Sequence, residues 1–418
     1  MLQLSLMKRI TRLTGRGARF LTRVKGSGGS ALPGLVVEKL EPNFLSETLE
    51  KLPFGVVIVS GTNGKTTTTK IITDLLTASK LKVFTNPTGS NFTRGIASAV
   101  FAEIEKAKKF DFDIAVLELD EAHAVHFAQQ IKPRHALLTN VLADQLDRFG
   151  KPEKVAELLE KVAVAATDGV VLNRDNQLVA NIASSVTTPV KFFGHSPKLA
   201  GQFPLDDAKG KPPHQADVEL TSLDDRDAKY RIDGKNHQVS LRLSGSHNAL
   251  NAASALCLTR MILGDDADNK KLLLALSKVQ PAFGRGETVK INGVDLDMIL
   301  VKNPSGFCLS LTSQYDESAD VMIAINNNFG DGVDPSWLEC VDLSRFRHIA
   351  VISGMCTDTV ASCLKNNRVE FDLIEPNLKK ALRALLESPR KKQIFCNYTA
   401  MLTLRKHLSA LVDMENVL

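Results

Sequence analysis

The feature that most constrains the fold is a glycine-containing loop between an apolar run and a helical run. Residues 60–69 read Ser-Gly-Thr-Asn-Gly-Lys-Thr-Thr-Thr-Thr, and they directly follow the apolar run 56–59. In a strand–loop–helix unit, backbone N–H groups of the loop and of the helix N-terminus point at anionic oxygens. We therefore predict a cradle for nucleotide phosphates; the alternative is a glycine-rich turn that binds nothing.

The side chains of this loop match the needs of a bound triphosphate. Lys65 supplies positive charge to the terminal phosphates, and the hydroxyl of Thr66 can bind Mg²⁺. No glycine lies five positions before Gly64, so the loop is shorter than the standard Walker A spacing. The predicted nucleotide-binding residues of the loop are Thr62, Asn63, Gly64, Lys65, Thr66 and Thr67.

Composition indicates an ordinary globular chain. Its 418 residues allow two or three domains, and 44% are hydrophobic and 24% charged. The net charge of +5 is too small to argue for nucleic acid, and we predict no nucleic-acid partner. The six cysteines contain no CxxC pair, so neither zinc nor a disulfide framework is expected. Scattered single cysteines are typical of reduced core residues in a cytoplasmic protein, which is the location we expect.

The first 25 residues form a basic segment in which Lys and Arg alternate with apolar side chains. No stretch has the apolar length that crosses a bilayer, and a signal peptide is not indicated because a continuous apolar core is absent. We predict an amphipathic helix, followed by a Gly- and Ser-rich connector at 25–34. The helix either packs on the next domain with a solvated face or binds an anionic membrane surface at the inner face of the membrane.

After the connector, strand-like and helix-like runs alternate, which predicts an α/β fold with a parallel sheet. The predicted strands lie at 56–59, 82–85, 114–119, 135–139 and 170–172, and the predicted helices at 65–79, 93–108, 154–166 and 248–263. Residues 195–238 are polar and rich in Pro, Gly, Asp and Lys, which indicates an insertion or a hairpin region.

After Gly284 the pattern restarts, with predicted strands at 321–325, 348–352 and 393–396. This predicts a second, smaller doubly wound domain of Rossmann type. We predict three parts: a basic helix and linker at 1–50, an ATP-binding domain at 51–283, and a C-terminal domain at 284–418.

Two acidic side chains follow the third predicted strand. Glu118 and Asp120 lie at its carboxyl end, where ligands bind in parallel sheets, and alternation puts them on one side. A carboxylate that faces the phosphate loop is what an Mg²⁺–ATP site requires, so we predict Glu118 as a catalytic residue and Mg²⁺ ligand with Thr66. The alternative is a solvated acidic cluster at the sheet edge.

Three asparagines are further candidates for nucleotide contacts. Asn140 begins the block Asn-Val-Leu-Ala-Asp-Gln-Leu-Asp, and Asn248 and Asn251 lie in Gly-Ser-His-Asn-Ala-Leu-Asn at a predicted helix start. The amide groups of Asn248 and Asn251 at the helix start can read the edge of an adenine or ribose. His247 alone is more typical of a hydrogen-bonding residue at a helix start than of a catalytic residue.

Taken in order, these blocks resemble the central domain of the Mur ligase superfamily, over residues 55–260. The resemblance implies a Mur-ligase-type P-loop ATPase domain that activates a carboxylate as an acyl phosphate. It also implies that Arg285, in Gly-Arg-Gly-Glu, is the inter-domain arginine aimed at the nucleotide. Only 60 residues precede Gly61, so we expect the chain to lack the N-terminal domain that holds the uridine nucleotide in ordinary Mur ligases.

Within the superfamily, the chain is most similar to the MurT family. Gln145 stands where typical Mur ligases have histidine, in Asp-Gln-Leu-Asp-Arg-Phe-Gly. The stretch 86–91 reads Asn-Pro-Thr-Gly-Ser-Asn, and 301–306 reads Val-Lys-Asn-Pro-Ser-Gly in place of an Asp-Tyr-Ala-His-type segment. Residues 331–337 read Asp-Gly-Val-Asp-Pro-Ser-Trp, close to the pattern Asp-Gly-x-Asp-x-Ser-Trp of that family.

This resemblance implies ATP-dependent amidation of the D-glutamate α-carboxylate in the lipid II stem peptide, giving D-isoglutamine. Ammonia would come from a partner, a GatD-like glutamine amidotransferase subunit. The second aspartate of the Asp-Gly-x-Asp motif, here Asp334, would be the essential residue that reaches toward the partner's site. A carboxylate can orient a histidine there, as the third member of a nucleophilic triad does. The alternative for Asp334 is a turn residue before Pro335.

Other functions remain as alternatives at this point. A stand-alone amino-acid ligase of the Mur or folylpolyglutamate type would need the Asp-Tyr-Ala-His-type segment, which is missing. A non-catalytic nucleotide-binding scaffold would not need Lys65, Thr66 and Glu118 together. Some MurT proteins carry a four-cysteine zinc ribbon in the region of 195–238, but that region contains no cysteine here.

Overall fold

A computed structural model of the chain describes residues 41–86, 93–142, 151–203, 214–281, 285–328, 331 and 335–410. The described residues fall into two compact units. The first contains the residues up to Leu241 together with His247–Val279, and the second contains Arg242–Ser246 and the chain from Gln280 onward. The predicted N-terminal basic helix lies outside the described residues.

The first unit consists of a nine-stranded sheet and the helices that cover it. Its strands are β1 Val56–Ser60, β2 Val83–Thr85, β3 Ile114–Glu118, β4 His135–Leu138, β5 Gly169–Asn173, β6 Val190–His195, β7 Val218–Asp224, β8 Asp227–Ile232 and β9 Lys235–Ser240. Its helices are α1 Phe44–Leu49, α2 Lys65–Ala78, α3 Thr93–Ala107, α4 Glu121–Gln130, α5 Pro152–Ala165, α6 Gln177–Asn181, α7 Ser246–Leu263 and α8 Asn269–Leu276. The predicted strands of this unit are confirmed with ends within one residue, and the predicted helices within two.

The strand order is β2-β3-β1-β4-β5-β6-β7-β8-β9. All pairs from β2 to β7 are parallel, and every residue of β1, β3, β4 and β5 is buried. Val, Ile and Leu fill these central strands because helices cover both faces of the sheet. After β1 the chain forms β2 and β3 on one side of β1, and it then crosses to β4 on the other side, so the sheet has a topological switch point between β1 and β4.

The region 195–238 contains a hairpin, as one of the two sequence interpretations predicted. β7, β8 and β9 pair in antiparallel fashion. Asp233 and Gly234 connect β8 to β9 with φ of +50° and +74°, the sign that a two-residue type I′ turn requires at both positions. The hairpins extend the sheet away from the switch point.

The second unit has a six-stranded sheet in the order β10-β11-β15-β12-β13-β14. Its strands are β10 Arg285–Ile291, β11 Val294–Leu300, β12 Asp320–Ala324, β13 His348–Ser353, β14 Glu370–Ile374 and β15 Lys392–Cys396, and its helices are α9 Pro304–Ser313, α10 Thr357–Asn366, α11 Leu378–Leu386 and α12 Tyr398–Leu408. The three predicted strands are confirmed. Except for the β10–β11 hairpin the pairs are parallel, and the switch point lies between β12 and β15.

The predicted fold class, an α/β Mur-ligase-type domain with a smaller Rossmann-like domain, is confirmed by this architecture and by the solved structures described below. Among the described residues, no helix is long and apolar enough to cross a membrane.

Candidate active site at the switch point of the larger sheet

The phosphate loop follows β1 at the switch point, and close packing requires glycine at both of its glycine positions. Gly61 and Gly64 have φ of +124° and +87°, a range that side-chain-bearing residues rarely adopt. A Cβ on Gly61 would lie 2.4 Å from Oγ1 of Thr139, and a Cβ on Gly64 would lie 2.5 Å from Oδ1 of Asn251. The loop is therefore pressed against its neighbours, with its backbone available at the start of α2 for an anion.

The segment after β4 fixes the shape of the loop. The backbone N–H of Thr62 donates to the carbonyl of Asn140 (2.8 Å), and that of Asn63 donates to Oδ1 of Asn140 (2.9 Å). In return, Nδ2 of Asn140 and Oγ1 of Thr139 donate to the carbonyl of Asn63 at 3.1 and 2.8 Å. The amide of Asn140 therefore holds the backbone of the loop. Its predicted contact with the nucleotide remains a prediction.

Glu118 lies beside the loop at the carboxyl end of β3. The hydroxyl of Thr66 donates to Oε1 of Glu118 at 2.8 Å, and Glu118 is only 5% exposed. The solvated-cluster interpretation therefore does not describe Glu118. A hydroxyl and a carboxylate at this separation fit neighbouring ligands of Mg²⁺, which takes oxygen ligands and keeps several waters.

Asn86, which the sequence did not single out, holds the strand end that carries Glu118. Its Nδ2 donates to the carbonyl of Glu118, and its Oδ1 accepts from the N–H of Glu118, both at 2.9 Å. Asn86 directly follows β2, so its side chain continues the β2–β3 pairing by one residue after the strand ends. No local pattern marks this role, because the two residues are 32 positions apart.

The ammonium of Lys65 lies among oxygen atoms of the loop and of the start of α4. It donates to the carbonyl oxygens of Gly61 and Thr62 at 2.5 and 3.2 Å. It also lies 3.6 Å from Oδ1 of Asp120 and 3.9 Å from Oε1 of Glu121. Asp120 is therefore next to the loop, as its position in the sequence predicted.

The predicted asparagines of α7 reach the same loop. Asn248 is buried, and Asn251 packs against Gly64. The structure therefore brings Asn251 to the phosphate loop itself. The contacts of both residues with adenine or ribose remain predictions.

Several predicted residues lie outside the part of the chain that the structure describes. These are the block 143–150, the side chain of Arg285, and Asp334. The backbone of Arg285 begins β10 and pairs with Ile299. The roles of Arg285 and Asp334 remain predictions.

Asp331, three residues before Asp334 in the sequence, is anchored at the switch point of the smaller sheet. Asp331 accepts from the N–H and the hydroxyl of Thr399, at the start of α12, at 2.8 and 2.6 Å. Asn326 and Asn397, which follow β12 and β15, bond each other reciprocally at 3.1 and 2.7 Å. Burial raises the pKa of the adjacent Cys396 thiol, so this thiol stays protonated and is a poor nucleophile.

Within the described ranges, no group of three or more His, Cys, Asp or Glu side chains could hold a metal ion. Mg²⁺ on a nucleotide needs fewer protein ligands than that, whereas structural zinc takes four. We predict that metal analysis of the purified protein finds no stoichiometric zinc. One zinc per chain would contradict the prediction. It would mean that the chain has zinc ligands that the spacing of its cysteines does not reveal.

The fold and the site together define an ATP-dependent ligase of the Mur type. The family model of the Mur ligase middle domain matches residues 59–259. MurF from Acinetobacter baumannii shares the fold, with a TM-score of 0.68 at 15% identity over 91% of this chain and 80% of that chain. MurF from Thermotoga maritima, solved in complex with ADP, has a TM-score of 0.66 at 19% identity over 91% of this chain and 85% of that chain.

The C-terminal part of the chain indicates which kind of Mur-type ligase this is. The MurT ligase C-terminal family model matches residues 300–401. The MurT subunit of the lipid II isoglutaminyl synthase (glutamine-hydrolyzing) of Streptococcus pneumoniae is 27% identical over 95% of this chain and 96% of its own length. These matches confirm the resemblance to the MurT family of the Mur ligase superfamily and the enzyme class that the sequence motifs indicated.

The Thr66–Glu118 pair leads to a prediction about magnesium. In Glu118→Gln, the amide oxygen can still accept from Thr66, so the fold is retained while the negative charge is lost. We expect the Mg²⁺ concentration for half-maximal ATP turnover to rise about tenfold or more, since even outer-sphere partners change metal affinity by that factor. Glu157→Gln, at an exposed position of α5, makes the same chemical change away from the site. An unchanged Mg²⁺ titration for Glu118→Gln would remove Glu118 from the ligand set.

Proposed function

We propose that this protein is the synthetase subunit that amidates the α-carboxylate of D-glutamate in the lipid II stem peptide. ATP activates the carboxylate, and ammonia comes from a GatD-like glutaminase subunit. The observation that supports this best is a phosphate loop with the Thr66–Glu118 pair in a chain that carries the MurT-type C-terminal segment. The relative in Streptococcus pneumoniae is named as a subunit of a glutamine-hydrolyzing enzyme that acts on lipid II.

In the first half of the proposed reaction, a carboxylate oxygen of D-glutamate attacks the γ-phosphorus of ATP. The bond between that phosphorus and the bridging oxygen breaks, and ADP leaves with the electron pair. Lys65 and the N–H groups at the start of α2 would compensate the charge on the phosphates. Mg²⁺, held by Thr66 and Glu118, would neutralise further phosphate charge.

In the second half, the nitrogen of ammonia attacks the carbonyl carbon of the acyl phosphate. The carbon–oxygen bond to the phosphate breaks, inorganic phosphate leaves, and the nitrogen loses one proton to give the primary amide. Arg285 would act earlier, in the first half of the reaction. Its guanidinium would stabilise negative charge on the phosphoryl group during transfer, as the family resemblance implies.

The glutaminase partner is proposed from the C-terminal unit. Asp331, three residues before Asp334 in the sequence, is bonded to Thr399 near the carboxyl ends of β12 and β15. Such an end of a parallel sheet is where ligands and reacting groups are usually presented. We propose that Asp334 acts there on the histidine of the partner's glutamine-hydrolysing site.

Contact with the membrane surface is proposed for the basic segment 1–25. A lipid-linked substrate is held at that surface, and alternating basic and apolar side chains bind anionic lipid. This proposal rests on the sequence of the segment.

The test is co-expression of the chain with its glutaminase partner, followed by incubation with lipid II, ATP and glutamine. Mass spectrometry of the stem peptide should show the small mass decrease of a hydroxyl replaced by an amine, on the α-carboxylate of D-glutamate. Addition of a whole amino acid to the peptide would instead identify a stand-alone ligase. ATP hydrolysis without any change of lipid II would refute the proposed substrate.

A further inference from the structure

A buried carboxylate next to the phosphate loop has no place in the mechanism above. Glu121 begins α4 and is only 1% exposed. Neither oxygen of its carboxylate has a hydrogen-bond partner among the described residues. Such a group requires an explanation, because a buried charge without hydrogen bonds is costly.

The position of Glu121 at a helix start explains only part of this cost. The positive end of a helix dipole favours a carboxylate in the first turn. The dipole does not replace the hydrogen bonds that the carboxylate loses on leaving water. The structure gives Glu121 one charged partner, the ammonium of Lys65 at 3.9 Å.

Lys65 is correspondingly turned toward its own loop. Its ammonium donates to the carbonyl oxygens of Gly61 and Thr62 and lies between Asp120 and Glu121. The side chain of Asp120 is 31% exposed, so water screens its charge, whereas the side chain of Glu121 is 1% exposed and its charge is screened little. When a triphosphate is bound, a lysine at this position serves the terminal phosphates, so these contacts must be exchanged.

We propose that Glu121 is a positioning residue that holds Lys65 in a retracted position when no nucleotide is bound. ATP then binds with lower apparent affinity, because only the fraction of molecules in which Lys65 has left Glu121 is competent to bind. The bound phosphates replace Glu121 as the counter-charge of Lys65. The proposal requires only nucleotide binding at the loop, so it does not depend on the proposed amidation of lipid II.

The test is titration calorimetry of the full chain with Mg²⁺ and a non-hydrolysable ATP analogue. Glu121→Gln keeps the shape of the side chain and removes its charge. We expect the dissociation constant to fall about threefold to tenfold, because the competent fraction rises. Glu157→Gln serves as the control for removing one negative charge from the same unit and should leave the dissociation constant unchanged.

A second pair of variants separates a contact through Lys65 from direct repulsion of the phosphates. If Glu121 acts through Lys65, Glu121→Gln in a Lys65→Ala background tightens binding by less than half as much, in free energy, as in the wild type. A tightening of the same size in both backgrounds would overturn the proposal, since the carboxylate would then act on the phosphates directly. Unchanged or weaker binding by Glu121→Gln alone would overturn it as well. Thermal unfolding checks the fold: a buried charge is lost, so the melting temperature should not fall.

Discussion

Lys65→Ala is expected to lower the rate of ATP turnover by a factor of about 10²–10³. Without the ammonium, the negative charge of the terminal phosphates is no longer compensated. Lys65 is the first residue of α2, and its ammonium lies beside the loop in which the phosphates are predicted to bind. The measurement is the steady-state release of phosphate in the presence of the partner, glutamine and lipid II.

Two controls keep this result interpretable. Lys70→Ala removes a lysine from the same helix that pairs with Asp74 near the surface, and it should retain activity. Lys65→Ala also leaves Glu121 buried without its cation, which is destabilising, so circular dichroism must show that the variant is folded. A folded Lys65→Ala protein with normal substrate-dependent turnover would disprove the assignment of the ATP site.

Asp334→Asn is expected to abolish glutamine-dependent amidation and to leave ATP binding at the Lys65 loop nearly unchanged. The amide keeps the size of the side chain but cannot stabilise a charged histidine in the partner, and loss of such a carboxylate in a nucleophilic triad costs about 10⁴ in rate. The predicted ATP site lies in the other unit of the chain, so nucleotide affinity should stay the same. Product formation is measured by mass spectrometry with glutamine as nitrogen donor.

The choice of nitrogen donor separates two roles of Asp334. If only the ammonia source is broken, a high concentration of ammonium restores part of the amidation by Asp334→Asn. If Asp334 positions ammonia or the acyl phosphate in the synthetase reaction, ammonium gives no rescue. Asp358→Asn, an exposed aspartate in the same unit, controls for the loss of one surface charge. Full glutamine-dependent activity in Asp334→Asn would mean that Asp334 is only a turn residue before Pro335.

Much of the fold could be predicted from local patterns. The central strands are short runs rich in Val, Ile and Leu, because a strand that is buried on both faces is apolar throughout. β1 and β3 could therefore be predicted from the sequence. β6 was not predicted, because Lys191, Gly194 and His195 give it the composition of the polar region that follows. α4 was missed because its first residues were interpreted only as an acidic motif. β14 was missed because four of its five residues are exposed at the edge of the smaller sheet, where no apolar pattern is needed.

The candidate site was predictable where its residues are consecutive. The predicted phosphate binding by 61–66 rests on one short segment, in which Gly61 and Gly64 allow positive φ and Lys65 and Thr66 supply a charge and a hydroxyl. Glu118 could also be predicted as a site residue, because the carboxyl end of a predicted parallel strand is the end at which ligands bind.

The tertiary structure alone determined which residues support this loop. Asn86 follows β2, Asn140 follows β4 and Asn251 lies on α7. They reach the loop or Glu118 only because β2, β3, β1 and β4 are neighbours in the sheet and α7 packs beside the loop. The same holds for Glu121, which is buried near Lys65 because α4 begins beside the phosphate loop. The sequence by itself determined the chemistry of the phosphate loop, since that chemistry is local. The order of the strands, which is a property of the whole sheet, decided which amides shape the loop and which carboxylate faces its lysine.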